Sequence, residues 1–258
     1  MMTTPDWSPW IATIEPILTV PEVSRIAAID RLPWVPPAVQ SRKDLAEFID
    51  HTLLSADAVP EQVVTLCEQA VAWKTGAVCI NPVYVPLARK TLGETSMDIA
   101  AVAGFPLGAT SSAAKAYEAA WAAAAGASEI DMVISIGLLK SQQWRNVLDD
   151  ILAVRAAVPQ PVRLKVIMEN ALLTRDEIIL GCLLAVAAGS DFVKTSTGFG
   201  PSGATVEDVR LMRQVVGRNT GVKAAGGIHT AQEALAMIEA GADRIGASQT
   251  QAILEALA

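Results

Sequence analysis

The sequence predicts an α/β protein, a (β/α)8 barrel carrying an N-terminal extension. Three observations lead there. Short apolar runs alternate with helix-period segments from about residue 45 onward. The runs are near-continuously apolar, as in parallel strands buried on both faces. About eight such units fill roughly 210 residues, the size of one barrel. A doubly wound open sheet is the alternative that the same pattern allows.

The extension comes first. Residues 1–44 hold Trp7, Trp10 and Trp34, three of the six tryptophans, with prolines at 5, 9, 16, 21, 33, 36 and 37. A disordered tail seldom carries so many large aromatics. The arm is expected to pack on the barrel or on a second subunit. A short helix over about Val20–Arg31 closing the barrel bottom is an equal alternative. The barrel domain is expected over 45–258.

The expected strands are Phe48–Leu53, Ala77–Asn81, Ile99–Phe105, Ile130–Ile136, Arg163–Met168, Phe192–Thr195, Val222–Ala225 and Arg244–Ala247. Helical segments lie between them, at Pro60–Trp73, Ser112–Ala125, Trp144–Val158, Thr174–Ala188, Thr205–Val216 and Thr230–Ala240. Thr174 and Thr205 each precede acids at capping distance, and Gly126, Gly189, Gly217 and Gly241 follow helices as C-terminal caps. The alanine-rich stretch 119–127 is too short for a bilayer and reads as the buried side of a helix.

Composition excludes several classes. The net charge is -7, which disfavours a nucleic-acid surface. Cys67, Cys79 and Cys182 form no CxxC pair, and an odd count disfavours a disulfide framework. With only His51 and His229, a metal-dependent reaction lacks its usual ligands. The first residues show no leader and no run long enough to span a membrane, so a cytoplasmic protein is expected.

The chemistry should lie at the C-terminal ends of the strands. Lys194 ends the sixth run and Lys223 the seventh, while Asp131 and Lys165 lie in the fourth and fifth. A lone strand carboxylate is usually a salt-bridge partner, and a lone lysine can snorkel. Ionisable residues on four consecutive core strands each cost several kcal/mol if unpaired, so a shared site explains them together. Neighbouring ammonium groups repel, so one loses its proton and becomes a nucleophilic amine able to form a Schiff base. Glycines 198, 200 and 203 after strand six, and Gly226 and Gly227 after strand seven, suit a phosphate cradle. Gly198–Gly203 formally matches GxGxxG. Pro201 inside it, and its late place in the chain, argue against a dinucleotide fingerprint.

These residues, with Ile49-Asp50-His51-Thr52-Leu53-Leu54, Val78-Cys79-Ile80-Asn81-Pro82, Gly104-Phe105-Pro106-Leu107-Gly108 and Leu164-Lys165-Val166-Ile167-Met168-Glu169, resemble the deoxyribose-phosphate aldolase family. The resemblance runs from about Ile49 to Ser248. It implies a TIM barrel with no metal or organic cofactor. The implied reaction is reversible cleavage of 2-deoxy-D-ribose 5-phosphate to acetaldehyde and D-glyceraldehyde 3-phosphate. It implies Lys194 as the Schiff-base lysine, Lys223 as the second lysine and Asp131 as the proton relay. Asp50, Cys79 and Lys165 match positions lining the pocket, and Thr197, Gly198, Gly226, Gly227 and Ser248 complete the substrate-binding set. Its partners are small sugar-phosphate and aldehyde substrates, not nucleic acid or membrane, and it suggests a homodimer or homotetramer. Two departures fall near the phosphate end. His229 stands where the family usually has arginine, and Gln249 follows Ser248 where a second serine is common. Weaker phosphate preference and tolerance of unphosphorylated aldehydes are therefore expected. Other Schiff-base barrels and a non-catalytic sugar-phosphate barrel are the competing readings.

Overall fold

The computed structural model describes residues 5–257. Eight strands form it: β1 Ile49–Leu53, β2 Ala77–Ile80, β3 Asp98–Ala103, β4 Glu129–Val133, β5 Arg163–Ile167, β6 Phe192–Lys194, β7 Gly221–Ala225 and β8 Arg244–Ala247. All neighbours pair in parallel, and β8 returns to pair with β1, so the sheet closes. That closure excludes the doubly wound alternative, whose sheet has two free edges.

Side chains alternate along each strand, and here the two faces differ in kind. The outward set, including Val78, Ile99, Ile130, Met132, Leu164, Val166, Val193 and Val222, packs in one continuous apolar core under the helices. The inward set carries the ions: Asp50, Glu129, Asp131, Arg163, Lys165, Lys194, Lys223 and Arg244. Small residues make room among them. A Cβ on Gly246 would lie 3.2 Å from Lys223 Cε. The strands are thus buried on both faces, as the sequence suggests, but the inner face holds ions beside a small apolar patch of Cys79, Ala100 and Val102.

The helices are α1 Ser8–Ile14, α2 Val20–Ala27, α3 Arg42–Phe48, α4 Pro60–Trp73, α5 Val85–Leu92, α6 Ser112–Ala124, α7 Ile136–Lys140, α8 Trp144–Ala157, α9 Arg175–Ala187, α10 Val206–Val216, α11 Ala231–Ala240 and α12 Thr250–Glu255. Thr174 and Glu177 form a reciprocal capping box at α9, and Thr205 accepts from Asp208 N–H at α10. Gly126, Gly189, Gly217 and Gly241 all take positive φ just past a helix, the conformation that a C-terminal cap needs. In the alanine-rich helix α6, Ala119 and Ala122 are buried while Trp121 is exposed. Among the described residues no helix is long and apolar enough to cross a membrane.

The arm packs on the flank of the barrel. The helix expected over Val20–Arg31 ends at Ala27, and it lies with α1 against α9 instead of sealing the bottom. Trp10 Nε1 donates to Asp176 at 3.1 Å, and Arg25 donates to Ala187 O at 2.8 Å. Further along, Asp30 pairs with Arg218 at 2.7 Å, and the Arg213 guanidinium stacks 4.4 Å above the Trp34 ring. The cover explains α9 itself, which is buried at every position from Ile178 to Ala187. A helix apolar all round must be enclosed on all sides.

Candidate active site

Register sets the convergence. Asp131 pairs with Lys165 across β4 and β5, and Lys194 pairs with Lys223 across β6 and β7. All four side chains point inward. Lys165 donates to Asp131 Oδ1 at 2.8 Å, while Lys194 and Lys223 donate to Oδ2 at 2.9 and 2.7 Å. One carboxylate therefore holds three ammonium groups, and a 2 % exposure at Lys194 is the only opening to solvent.

Burial alone would push the Asp131 carboxyl up, but Lys165, Lys194 and Lys223 hold it well below the usual carboxylate range. Burial would likewise lower Lys223, yet Asp131 and Asp50 raise it well above the ordinary lysine value. Lys223 stays a cation. Repulsion between two lysines, the argument available from sequence, is thus incomplete: the anion between them decides which ammonium is retained. Lys165 is raised in the same way, against burial, by Asp131 and Glu129.

Above this cluster lies a cavity of about 430 Å³, within the range of small-ligand sites. Lys194 forms part of its floor. Thr197, Gly198, Gly226, Gly227 and Ser248 line its wall. The remaining expected residues, Asp50, Cys79, Lys165, Lys223 and Asp131, lie beneath the floor and do not reach the open space. Cys79 packs with Leu54, Ala100 and Val102, and burial pushes its thiol up, away from the reactive thiolate. Among the described residues no group of His, Cys, Asp and Glu is arranged to hold a metal ion.

The glycine wall is main chain against main chain. A Cβ on Gly203 would fall 2.0 Å from Gly226 O, so the loops after β6 and β7 touch through backbone alone. Gly198, Gly226 and Gly227 adopt φ of 88°, 84° and 74°, which other residues rarely take. Among the described residues the amides of Gly226 and Gly227 donate to no protein acceptor. Free amides in such a turn form an anion nest.

Five residues were given no role by sequence reasoning. Glu169, buried and at φ 59°, accepts from Thr197 N–H at 3.2 Å and from the Thr197 hydroxyl. Phe199 N–H donates back to that hydroxyl at 3.0 Å. Thr197 therefore braces the loop and has no free donor for a substrate. Phe105 and Phe199 meet edge to face at 5.4 Å above the chamber. Arg244 and Glu129 form the charged floor under the lysines. An acid following a strand, a loop aromatic and an arginine opening a strand all look unremarkable in a single sequence.

The sequence profile of the DeoC/LacD family aldolases matches residues 45–256. The deoxyribose-phosphate aldolase of Histophilus somni is 52% identical over 83% of this chain and 95% of its own length. That of Natranaerobius thermophilus is 51% identical over 82% and 96%. Among solved structures, a Coccidioides immitis protein provisionally assigned as a deoxyribose-phosphate aldolase matches at TM-score 0.84, with 38% identity over 98% of both chains. The tetrameric deoxyribose phosphate aldolase of Aeropyrum pernix matches at 0.75, with 29% identity over 97% of both. Profile, sequence identity and matched length agree: the chain belongs to the DeoC/LacD aldolase family.

Proposed function

We propose that this aldolase cleaves 2-deoxy-D-ribose 5-phosphate reversibly, with Lys194 as its Schiff-base nucleophile. The observation that carries the reading is one carboxylate, Asp131, within 2.9 Å of three lysines, of which only Lys194 meets the cavity. The Lys194 amine attacks the sugar carbonyl carbon. Water leaves and an iminium ion forms. Its positive nitrogen takes the electron pair of the breaking carbon–carbon bond, so an enamine results instead of a bare carbanion. Asp131, through a water, accepts the hydroxyl proton as glyceraldehyde 3-phosphate departs. Lys223, kept protonated by Asp131 and Asp50, supplies protons to the departing water and to the enamine carbon. Hydrolysis of the iminium then frees acetaldehyde and Lys194.

Sodium borohydride with acetaldehyde tests this directly. A reduced two-carbon adduct is expected on the peptide carrying Lys194, and none in Lys194→Ala. Adducts scattered over surface lysines would overturn the assignment and favour a binding barrel.

The phosphate end rests on the Gly226–Gly227 nest, Ser248 and His229. The His229 backbone N–H is held by Glu233 at 2.8 Å, with the residue exposed at the cavity wall. A guanidinium there adds a charge-assisted contact worth roughly 1.5–3 kcal/mol. His229→Arg is expected to raise kcat/KM for phosphorylated over unphosphorylated deoxyribose by roughly tenfold or more. A ratio already high in the wild type and unmoved by the substitution would show that the amides alone hold the phosphate.

A further inference from the structure

His51 is a buried titratable group that the aldol steps above leave idle. Its neighbour Asp50 points into the barrel, so His51 points out, under the helices. It is 4% exposed. Its ring meets that of Trp73, the last residue of α4, edge-on at 5.1 Å. Nε2 lies 3.1 Å from Gln69 Oε1, also on α4, and a ring nitrogen that faces an oxygen acceptor carries the proton. Burial lowers the pKa of His51, against Gln69 and the Ala247 carbonyl, so the ring is neutral at pH 7. Nδ1 of the neutral ring is then an acceptor, and the Thr250 hydroxyl donates to it at 2.9 Å.

Thr250 closes a turn that has little else to hold it. β8 ends at Ala247 and α12 begins at Thr250, so Ser248 and Gln249 join them. Ala247 pairs in register with His51, and the Thr250 hydroxyl lies 3.2 Å from Ala247 O. Ala247 and Thr250 are buried, while Ser248 and Gln249 are exposed. No side chain caps α12, and among the described residues the backbone N–H groups of Ser248 and Gln249 donate to no protein acceptor. The wall that Ser248 presents to the cavity is therefore anchored from behind, by the hydrogen bond that joins Thr250 to His51. Gln69 and Trp73 in turn fix the imidazole against α4.

We propose that His51 is a positioning residue that, through Thr250, holds the turn carrying Ser248 in place and so sets the preference for a phosphorylated sugar. It touches neither substrate nor reacting atoms, because it lies on the outer side of the sheet and Lys194 on the inner. The inference rests on the sugar phosphate lying against this wall, as proposed above.

The test compares cleavage of deoxyribose 5-phosphate with cleavage of unphosphorylated deoxyribose. His51→Leu and Thr250→Val each remove the bond. Each is expected to raise KM for the phosphorylated sugar about tenfold, the size of one hydrogen bond to a charged group. Its kcat, and kcat/KM for the unphosphorylated sugar, should stay close to the wild type. His51→Asn sets an amide oxygen where Nδ1 was and should restore the preference. His51→Gln reaches toward the Nε2 position instead and should not. The losses should not add in His51→Leu/Thr250→Val, because both substitutions break one link. Equal loss on the two sugars, a fall in kcat with KM unmoved, or an Asn variant no better than the Leu variant would overturn the proposal. If His51→Leu does not fold, Thr250→Val, which exchanges a hydroxyl for a methyl, and Thr250→Ser, which keeps the hydroxyl, still decide. A wild type with no Lys194 adduct, or with no preference for the phosphorylated sugar, would count against the reading beneath the inference. A clear preference that none of these variants moves would count against His51 alone.

Discussion

Asp131→Asn is expected to lower kcat for cleavage by about 10²–10⁴-fold, the usual contribution of a positioned acid–base group, while a borohydride adduct on Lys194 still forms. The substitution keeps size and removes charge. Lys165, Lys194 and Lys223 then lose the carboxylate that all three touch at 2.7–2.9 Å. With one anion fewer, the lysine cluster holds its protons less firmly, and Schiff-base formation keeps its nucleophile. What disappears is the base that takes the hydroxyl proton as the carbon–carbon bond breaks. Schiff-base formation and cleavage should therefore separate, and equal loss of both would refute the relay role. Stability should fall as well, by about 3–5 kcal/mol, because removing one partner of a buried ionic cluster leaves the others unpaired. The pH dependence has a definite sign. Asp131 is held below its unfolded value, so its stabilisation is present above about pH 4 and is lost as pH falls toward the depressed folded value. The Asn variant should lack that part of the acid transition.

Lys223→Met is expected to act on the earlier step. It removes a cation that Asp50 holds at 2.5 Å and Asp131 at 2.7 Å. The repulsion that disfavours a charge on the neighbouring Lys194 goes with it. Trapping with acetaldehyde should slow by roughly a hundredfold at pH 7. Cleavage should fall further than trapping, since the proton donor is also gone. Normal trapping at pH 7 would mean that the second lysine has no influence on the first.

The barrel was legible because its elements announce themselves twice, by apolar runs and by the glycines that close each helix. Pro60–Trp73 and Arg244–Ala247 coincide with the expected segments. The strand expected over Ile130–Ile136 instead ends at Val133, and Ile136 begins α7. An isolated turn of helix is too short to show a period of its own. The short helix α5 was missed for the same reason, and Pro86 inside it reads as a breaker although proline is tolerated in a first turn. The candidate site was half legible. Lysines and an aspartate on core strands are conspicuous because such groups are costly there. Arg244 and Glu129 sit at strand beginnings, where a charged residue normally reaches solvent. That they turn inward is fixed by the pleat and by small neighbours such as Gly76, whose Cβ would lie 3.2 Å from the Arg244 guanidinium carbon. Neither constraint is visible along the chain. The bracing of Thr197 by Glu169 was hidden because it joins two loops 28 residues apart.

The seating of the arm on α9 sets an order of events during synthesis. Trp10 is joined to Asp176 and Arg25 to Ala187, 166 and 162 positions away. At about 5–20 residues per second, the arm leaves the ribosome roughly 10–30 seconds before its partner helix exists. Until then Trp7, Ile14 and Ile26, all buried in the finished protein, have nothing to cover. Closure of β1 on β8 waits longer still. The arm is thus made early and finds its place late.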